Sequence, residues 1–263
     1  MLKRELKINL KSFLIWTSIM LFMFLIVYLM YPAIVNSDSV AMMDEMMKMF
    51  PDEVIKAFNM DISSMDSAFG WLKTEGFVFI FLITGVYASI MGSSILLKEE
   101  SEKTIEYLNS LPVRRKDILK NKVICGIFYI VLMIIIIGLF NYIGLELSGD
   151  FDRKQFILLS ITPLFIALPL FTINLFISTI SKKTKKTFGI ALGISFISYF
   201  LSIISELSKE TEFFKYFTVY TLGDIRNVII DVSINPIMIF IAVGISLLFI
   251  ILSFVKYEKK ELV

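Results

Sequence analysis

The sequence predicts an all-α integral membrane protein: six transmembrane helices, a short N-terminal amphipathic helix ahead of them, and a charged cytoplasmic hairpin between the second and third. Three observations carry this. The 263-residue chain is 57% hydrophobic and only 19% charged, with a mean hydropathy of +0.79, whereas a soluble domain is roughly 45–50% apolar and 25% charged. Six long stretches contain no Asp, Glu, Lys or Arg: 12–37, 76–97, 123–145, 156–180, 188–205 and 234–255. Each is close to the roughly 20 apolar residues that a spanning helix needs. The basic residues, finally, crowd into alternate loops. A soluble fold would have too little polar surface to cover six such helices, and a disordered chain would be polar.

Composition also limits the chemistry. There is no histidine and one cysteine, Cys125. Zinc sites built on histidine, Ser-His-Asp triads, histidine proton relays, internal disulfides and Cys clusters are therefore excluded.

The first element is amphipathic. At 100° per residue, Leu2, Leu6, Leu10 and Phe13 share one sector, and Lys3, Arg4, Lys7 and Lys11 lie beside it. Such a helix lies along the inner membrane surface with its lysines toward anionic lipid; an ordinary basic flank that fixes topology is the alternative. The apolar run that follows is too long for a signal-peptide core, and no small-x-small cleavage site follows it. It reads as an uncleaved first span.

Loop 38–75 comes next. It is helical in outline, with Pro51 in the first turn of a second piece, and carries Met42, Met43, Met46, Met47, Met49, Met60 and Met65. Thioethers can hold Cu(I), form an adaptable surface for an amphipathic peptide or lipid, or belong to a helix resting on the membrane face.

The spans hold few polar groups. Asn141 in the third and Asn174 in the fourth can hydrogen-bond between helices or touch a substrate. Pro163 and Pro169 should kink or loosen the fourth. Gly189 and Gly193 give the fifth a GxxxG pattern, suited to a subunit interface or to packing within the subunit. No Asp, Glu, Lys or Arg lies inside any run, which argues against ion-coupled carriers and intramembrane hydrolases. Energy for transport would have to come from outside the bilayer.

Loop charge sets the orientation. The N-terminus, 98–122, 181–187 and the C-terminal tail hold 18 of the 26 Lys and Arg residues, while the other three loops hold 8 basic and 16 acidic residues. By the positive-inside rule both termini are cytoplasmic in the cell membrane, and loops 38–75 and 206–233 are outside. In the latter, Phe213, Phe214, Tyr216, Phe217 and Tyr220 form an aromatic belt or line an exit, with Asp224, Arg226 and Asp231 at its mouth.

Segment 98–122 is the most informative. Glu99 and Lys103 form a favourable i,i+4 pair, Ile105, Leu108 and Leu111 make an apolar stripe, and Pro112 ends the helix. Arg114, Arg115 and Lys116 follow, and a second helix starts near Asp117. A helical hairpin with an apolar patch and a basic turn fits a cytoplasmic partner; the plain alternative is a solvated, topology-setting loop.

Glu100, Glu102, Thr104, Glu106, Leu108, Ser110, Pro112, Val113, Arg115, Ile118 and Lys122 together resemble the signature of permease subunits of ABC-2 type (ABCG-like) transporters. Lys103 stands where many relatives have glycine. With six spans, cytoplasmic ends, a basic N-terminus and a long first external loop, the resemblance covers the whole chain. It implies a dimer with a second copy or a sister permease, and a cytoplasmic ABC ATPase subunit that seats the hairpin. Thr104, Ile105, Glu106, Leu108, Leu111, Pro112 and Arg115 would be the coupling residues. ATP and Mg would sit on the ATPase, because this chain has no GxxxxGK[ST] loop and needs no cofactor of its own. It also implies short re-entrant helices before the last span. The expected function is a non-catalytic exporter permease for a peptide, antibiotic or other amphipathic molecule, with no role for nucleic acid. The rival is a six-span membrane receptor or binding subunit, which would not need the hairpin.

Overall fold

A computed structural model describes residues 1–34, 67–98, 114–181, 184–223 and 225–259. Six helices are long and apolar enough to cross a membrane, and no strand occurs among the described residues. They are α1 (Leu2–Ile34), α2 (Ala68–Ser94), α3 (Arg115–Ser148), α4 (Arg153–Ile180), α5 (Thr184–Leu207) and α6 (Pro236–Glu258).

Local chemistry explains the ends. Ser67 caps α2 by accepting from the Gly70 N–H, Asp152 caps α4 by accepting from Gln155 N–H, and Asn235 caps α6 through Ile237 N–H. Each side-chain oxygen satisfies a backbone donor that the first turn leaves open. α2 widens into a π turn at Leu72–Gly76. The two prolines of α4 act differently. The helix breaks at Thr162, with Pro163 opening the continuation, whereas Pro169 lies inside a continuous run. Between α5 and α6 come two 3₁₀ turns, Glu212–Phe217 and Tyr220–Gly223, and a short helix, Arg226–Asp231.

α2 and α4 are the centre of the bundle and pack most extensively on each other; α5 lies on α2, α6 on α4, and α1 on α3. In the most apolar window of each span, 67% of α2 is buried against 17% of α6. Gly92 makes the central seam tight, because a Cβ there would overlap the Phe171 carbonyl oxygen of α4. The peripheral helices turn large apolar residues outward, among them Phe22 and Leu29 on α1, Ile197 and Phe200 on α5, and Phe240 and Ile251 on α6. A surface of this kind is stable in lipid and not in water.

The N-terminal basic stretch is the opening of α1 itself, with no turn before the first span. Its inward stripe is Glu5, Asn9, Phe13, Thr17, Met20 and Phe24, all buried, while Leu10 is exposed. The expected Leu2/Leu6/Leu10/Phe13 face is therefore rotated toward its polar edge. The reason is a buried cation on α3.

Candidate functional site

α1 and α3 have 33 and 34 residues, about 50 Å each at 1.5 Å per residue. The hydrocarbon core is only about 30 Å thick, so both helices carry polar turns beyond it. The start of α1 and the start of α3 meet on the side of the membrane that holds the termini.

Lys122 of α3 is the centre of this contact. Its Nζ donates to Glu5 Oε2 at 3.2 Å and to the Ile95 carbonyl at 2.7 Å. Both charged side chains are almost fully buried, at 1% and 2% exposure. Asn9 donates to the Glu5 carbonyl at 2.9 Å and to Cys125 Sγ at 3.8 Å, and the Tyr129 hydroxyl donates to the Leu6 carbonyl at 2.6 Å. Phe13 stacks on Tyr129 with ring centroids 4.8 Å apart. A buried ion pair is sustained when further hydrogen bonds satisfy its members; the Ile95 carbonyl does this for Lys122, while the second carboxylate oxygen of Glu5, Oε1, is buried with no hydrogen-bond partner among the described residues.

The network brackets the charged segment between α2 and α3. On its entering side, Ile95 accepts from Lys122, Leu97 accepts from Thr184 Oγ1 at 3.3 Å, and Lys98 donates to the Ile8 carbonyl at 3.3 Å. On its leaving side, Arg115 donates to the Glu258 carbonyl at 3.2 Å, and Lys116 pairs with the Glu258 carboxylate at 3.0 Å. The entering root of 99–113 is thus joined to α1, α3 and α5, and the leaving root to α6. The Lys116–Glu258 pair is exposed on both sides, so it orients more than it stabilises.

Of the sequence-derived coupling residues, Thr104, Ile105, Glu106, Leu108, Leu111 and Pro112 lie outside the described residues, as do the Glu99–Lys103 pair and the methionines of loop 38–75. Arg115 is described, in the first turn of α3 together with Asp117. Gly189 and Gly193 face open space, with nothing within 4 Å of an added Cβ.

The two asparagines sit in opposite halves of the bundle and do not form one site. Asn141, toward the far end of α3, donates to the Ile137 carbonyl at 2.9 Å and accepts from the Tyr28 hydroxyl at 3.0 Å. That geometry joins α3 to α1. Asn174, near the termini side of α4, donates to the Leu170 carbonyl at 2.8 Å, and its buried Oδ1 has no hydrogen-bond partner among the described residues. Thr17 of α1 and Thr84, Tyr87 and Ser89 of α2 carry buried hydroxyls in the same condition.

At the opposite end, the segment after α5 folds back into the bundle. The Tyr220 hydroxyl lies 2.9 Å from Ser195 Oγ, and Thr218 Oγ1 donates to the Ser198 carbonyl at 2.6 Å. Ser195 is near the middle of α5. Tyr220 is buried, unlike exposed Phe213, Tyr216 and Phe217, so it leaves the expected belt. Its hydroxyl occupies the space that a Cβ on Gly85 of α2 would need. Asp231 is exposed; Asp224 and the Arg226 side chain are outside the described set. Nearby, the Glu212 carboxylate holds the Lys215 ammonium above its usual range through a 2.5 Å hydrogen bond.

Sequence reasoning missed the Glu5–Lys122 pair. A signal existed: Glu5 and Asn9 are four residues apart and lie on the side of the apolar sector opposite the lysines. The family model described as ABC-2 family transporter protein matches residues 1–262. Searches of curated proteins and of solved structures returned no match to the chain.

Proposed function

The chain belongs to the ABC-2 transporter family and is a multi-pass membrane permease of an ABC transporter, and from that premise we propose that it is the non-catalytic half of an exporter driven through segment 98–122. Membership implies partnership with an ABC ATPase subunit. In this reading the ATPase binds ATP and Mg, docks on the hairpin with Leu108, Leu111 and Arg115 at the contact, and pulls on its two roots. Both termini are cytoplasmic in the cell membrane. The cargo is a peptide, antibiotic or other amphipathic molecule, in keeping with six long runs that hold no Asp, Glu, Lys or Arg. A second copy or a sister permease completes the pathway, for which the open Gly189/Gly193 face of α5 is available.

The observation that carries the coupling is the burial of Lys122 between Glu5 and the Ile95 carbonyl. A displacement of either root of the hairpin passes directly to α1, α2 and α3, because a buried pair cannot stretch without exposing an uncompensated charge. The buried hydroxyls of α2 and the free Oδ1 of Asn174 add to this. Each unpaired polar group costs about 1–3 kcal/mol in the closed seam, which lowers the work of parting the central helices toward water or cargo.

The test is purification of the tagged protein from its native membrane in mild detergent, wild type beside Leu111→Glu, with identification of co-purifying subunits and an ATP hydrolysis assay. A stoichiometric ATPase is expected on the wild type and absent from the variant, while both remain membrane-integrated. An ATPase retained equally by the variant removes the hairpin from the interface. No ATPase under several detergents favours a six-span binding or receptor subunit.

A further inference from the structure

In α1, α3 and α6 the single glutamate of each helix holds a cation: Glu5 pairs with Lys122, Glu146 with Arg153 and Glu258 with Lys116. Glu75 of α2 is different. Its carboxylate has no ion pair or hydrogen bond among the described residues, although it is half-buried and lies within a spanning helix. Lys73, two residues before it, is placed over the Phe69 ring, 4.8 Å from the centroid. An ionisable group in a spanning segment is almost always paired, so the cation that Glu75 takes comes from outside the described residues. We propose that Glu75, with the Tyr199 ring of α5, binds the positive group of a cationic amphiphile and makes the exporter select cargo that carries a lipophilic cation.

Depth is the first support. Glu75 is seven residues into α2, about 10 Å at 1.5 Å per residue. The 27 residues of the helix cover about 40 Å against a hydrocarbon core of about 30 Å. The carboxylate thus lies at the edge of the core, on the face opposite the termini, where a charge is costly unless a partner meets it. The second is the backbone. Glu75 belongs to the π turn Leu72–Gly76, a widening found frequently at functional sites. The third is the ring. α5 lies on α2, and across that contact the charge of Glu75 acts on Tyr199. Phe200 and Tyr220 meet the Tyr199 ring edge to face, with centroids 6.0 and 5.3 Å away. A cation is attracted to an aromatic face and to a carboxylate at once. The fourth is access. Phe79, four residues further along α2, and Phe200 are exposed, so an apolar tail has surface to lie on beside its charge. A neutral or anionic amphiphile would find the same apolar surface and gain nothing from Glu75.

The experiment is equilibrium binding of radiolabelled tetraphenylphosphonium to the purified full-length protein with the subunits that accompany it. Tetraphenylborate, an anion of the same shape, is the opposite probe. Glu75→Gln keeps the shape of the side chain and removes its charge. It should weaken tetraphenylphosphonium about tenfold, a loss of ~1.4 kcal/mol, and should not weaken tetraphenylborate. Glu75→Asp should recover part of the affinity, and Tyr199→Leu should lower it, with each variant still monodisperse. Glu210→Gln removes an exposed charge beyond the end of α5 and should leave binding unchanged. Equal binding by wild type and Glu75→Gln overturns the proposal, as does an equal loss in Glu210→Gln. A wild type that is dimeric where Glu75→Gln is monomeric would place a cation of a second copy on the carboxylate and would overturn it as well. The selectivity, unlike the binding, rests on the exporter reading, which ATP-driven uptake of the cation into inverted vesicles tests by itself. Glu75-dependent binding without such uptake upholds the site and overturns the export of such cations.

Discussion

On the side of the termini, the bundle is held by charge: Lys122 of α3 lies between the Glu5 carboxylate of α1 and the Ile95 carbonyl that follows α2. In its far half, neutral hydroxyls do the same work. Tyr220 meets Ser195, and Thr218 meets both the hydroxyl and the carbonyl of Ser198. Ionic and hydroxyl locks differ in what happens when they open. A separated buried ion pair leaves a charge in low dielectric, so it resists partial opening and moves as a unit. A separated hydroxyl pair loses about 1 kcal/mol and finds water or another hydroxyl. The termini side is thus suited to transmitting force and the far half to yielding to it. In the proposed mechanism these are the coupling end and the exit end.

The sharpest way to break that contrast is to remove one member of the ionic lock. Lys122→Met leaves the Glu5 carboxylate buried without its cation, and a loss of about 3–5 kcal/mol is expected, read as a fall in detergent thermostability by fluorescence-detected size exclusion. Glu5→Leu in the same chain should recover most of it, since an apolar pair of similar volume replaces a buried ion pair at little cost. Recovered stability with reduced ATPase stimulation would separate holding from transmitting. If Lys122→Met alone is as stable as wild type, the pair does not lock this end.

The two close approaches of α2 sharpen the comparison at the next level. Gly92 meets main chain, the Phe171 carbonyl of α4, whereas Gly85 meets the tip of a side chain, the Tyr220 hydroxyl. Backbone cannot rotate away. Gly92→Ala should destabilise by about 1–3 kcal/mol through overpacking, and Gly85→Ala by less, because Tyr220 can withdraw. Equal effects in the same thermostability assay would mean that the far half is as rigid as the central seam.

How much of this was readable in the chain follows from the same physics. Long charge-free runs report membrane spans because the bilayer excludes charge over a fixed thickness, and each of the six spanning helices overlaps one. Burial of a charge leaves no such mark. Lys122 reads as the last cytoplasmic cation before the third run, and only the meeting of α1 with α3 makes it internal. Glu5 and Asn9 hinted at this through their shared face. Tyr220 reads as one more aromatic of the series that starts at Phe213, and the turn at Thr218, not composition, sends it inward. Asn141 behaves as an interhelical hydrogen-bonding group, as its type permits. Asn174 satisfies only its own helix. Leu108, Leu111 and the methionine-rich loop remain matters of sequence.

The smallest expected effect tests the hydroxyl lock. Tyr220→Phe keeps the ring in its seat beside Gly85 and Tyr199, whose ring centroid lies 5.3 Å away, and removes only the hydroxyl that meets Ser195. The partner left behind can turn to its own helix, as Ser202 does by donating to the Tyr199 carbonyl at 2.7 Å. A change of about 1 kcal/mol or less is therefore expected. Ser195→Ala should match it, and the double variant should add little to either single one, because both remove the same bond. The informative readout is exposure. A single cysteine at Thr221, in a Cys125→Ser background, should label faster with a membrane-impermeant maleimide once Tyr220 is phenylalanine. Cysteine at Ile8, beside the ionic lock, should label at an unchanged rate in opened vesicles. Faster labelling at both positions would mean that the two ends are rigidly linked, and the division between a transmitting end and a yielding end would fail.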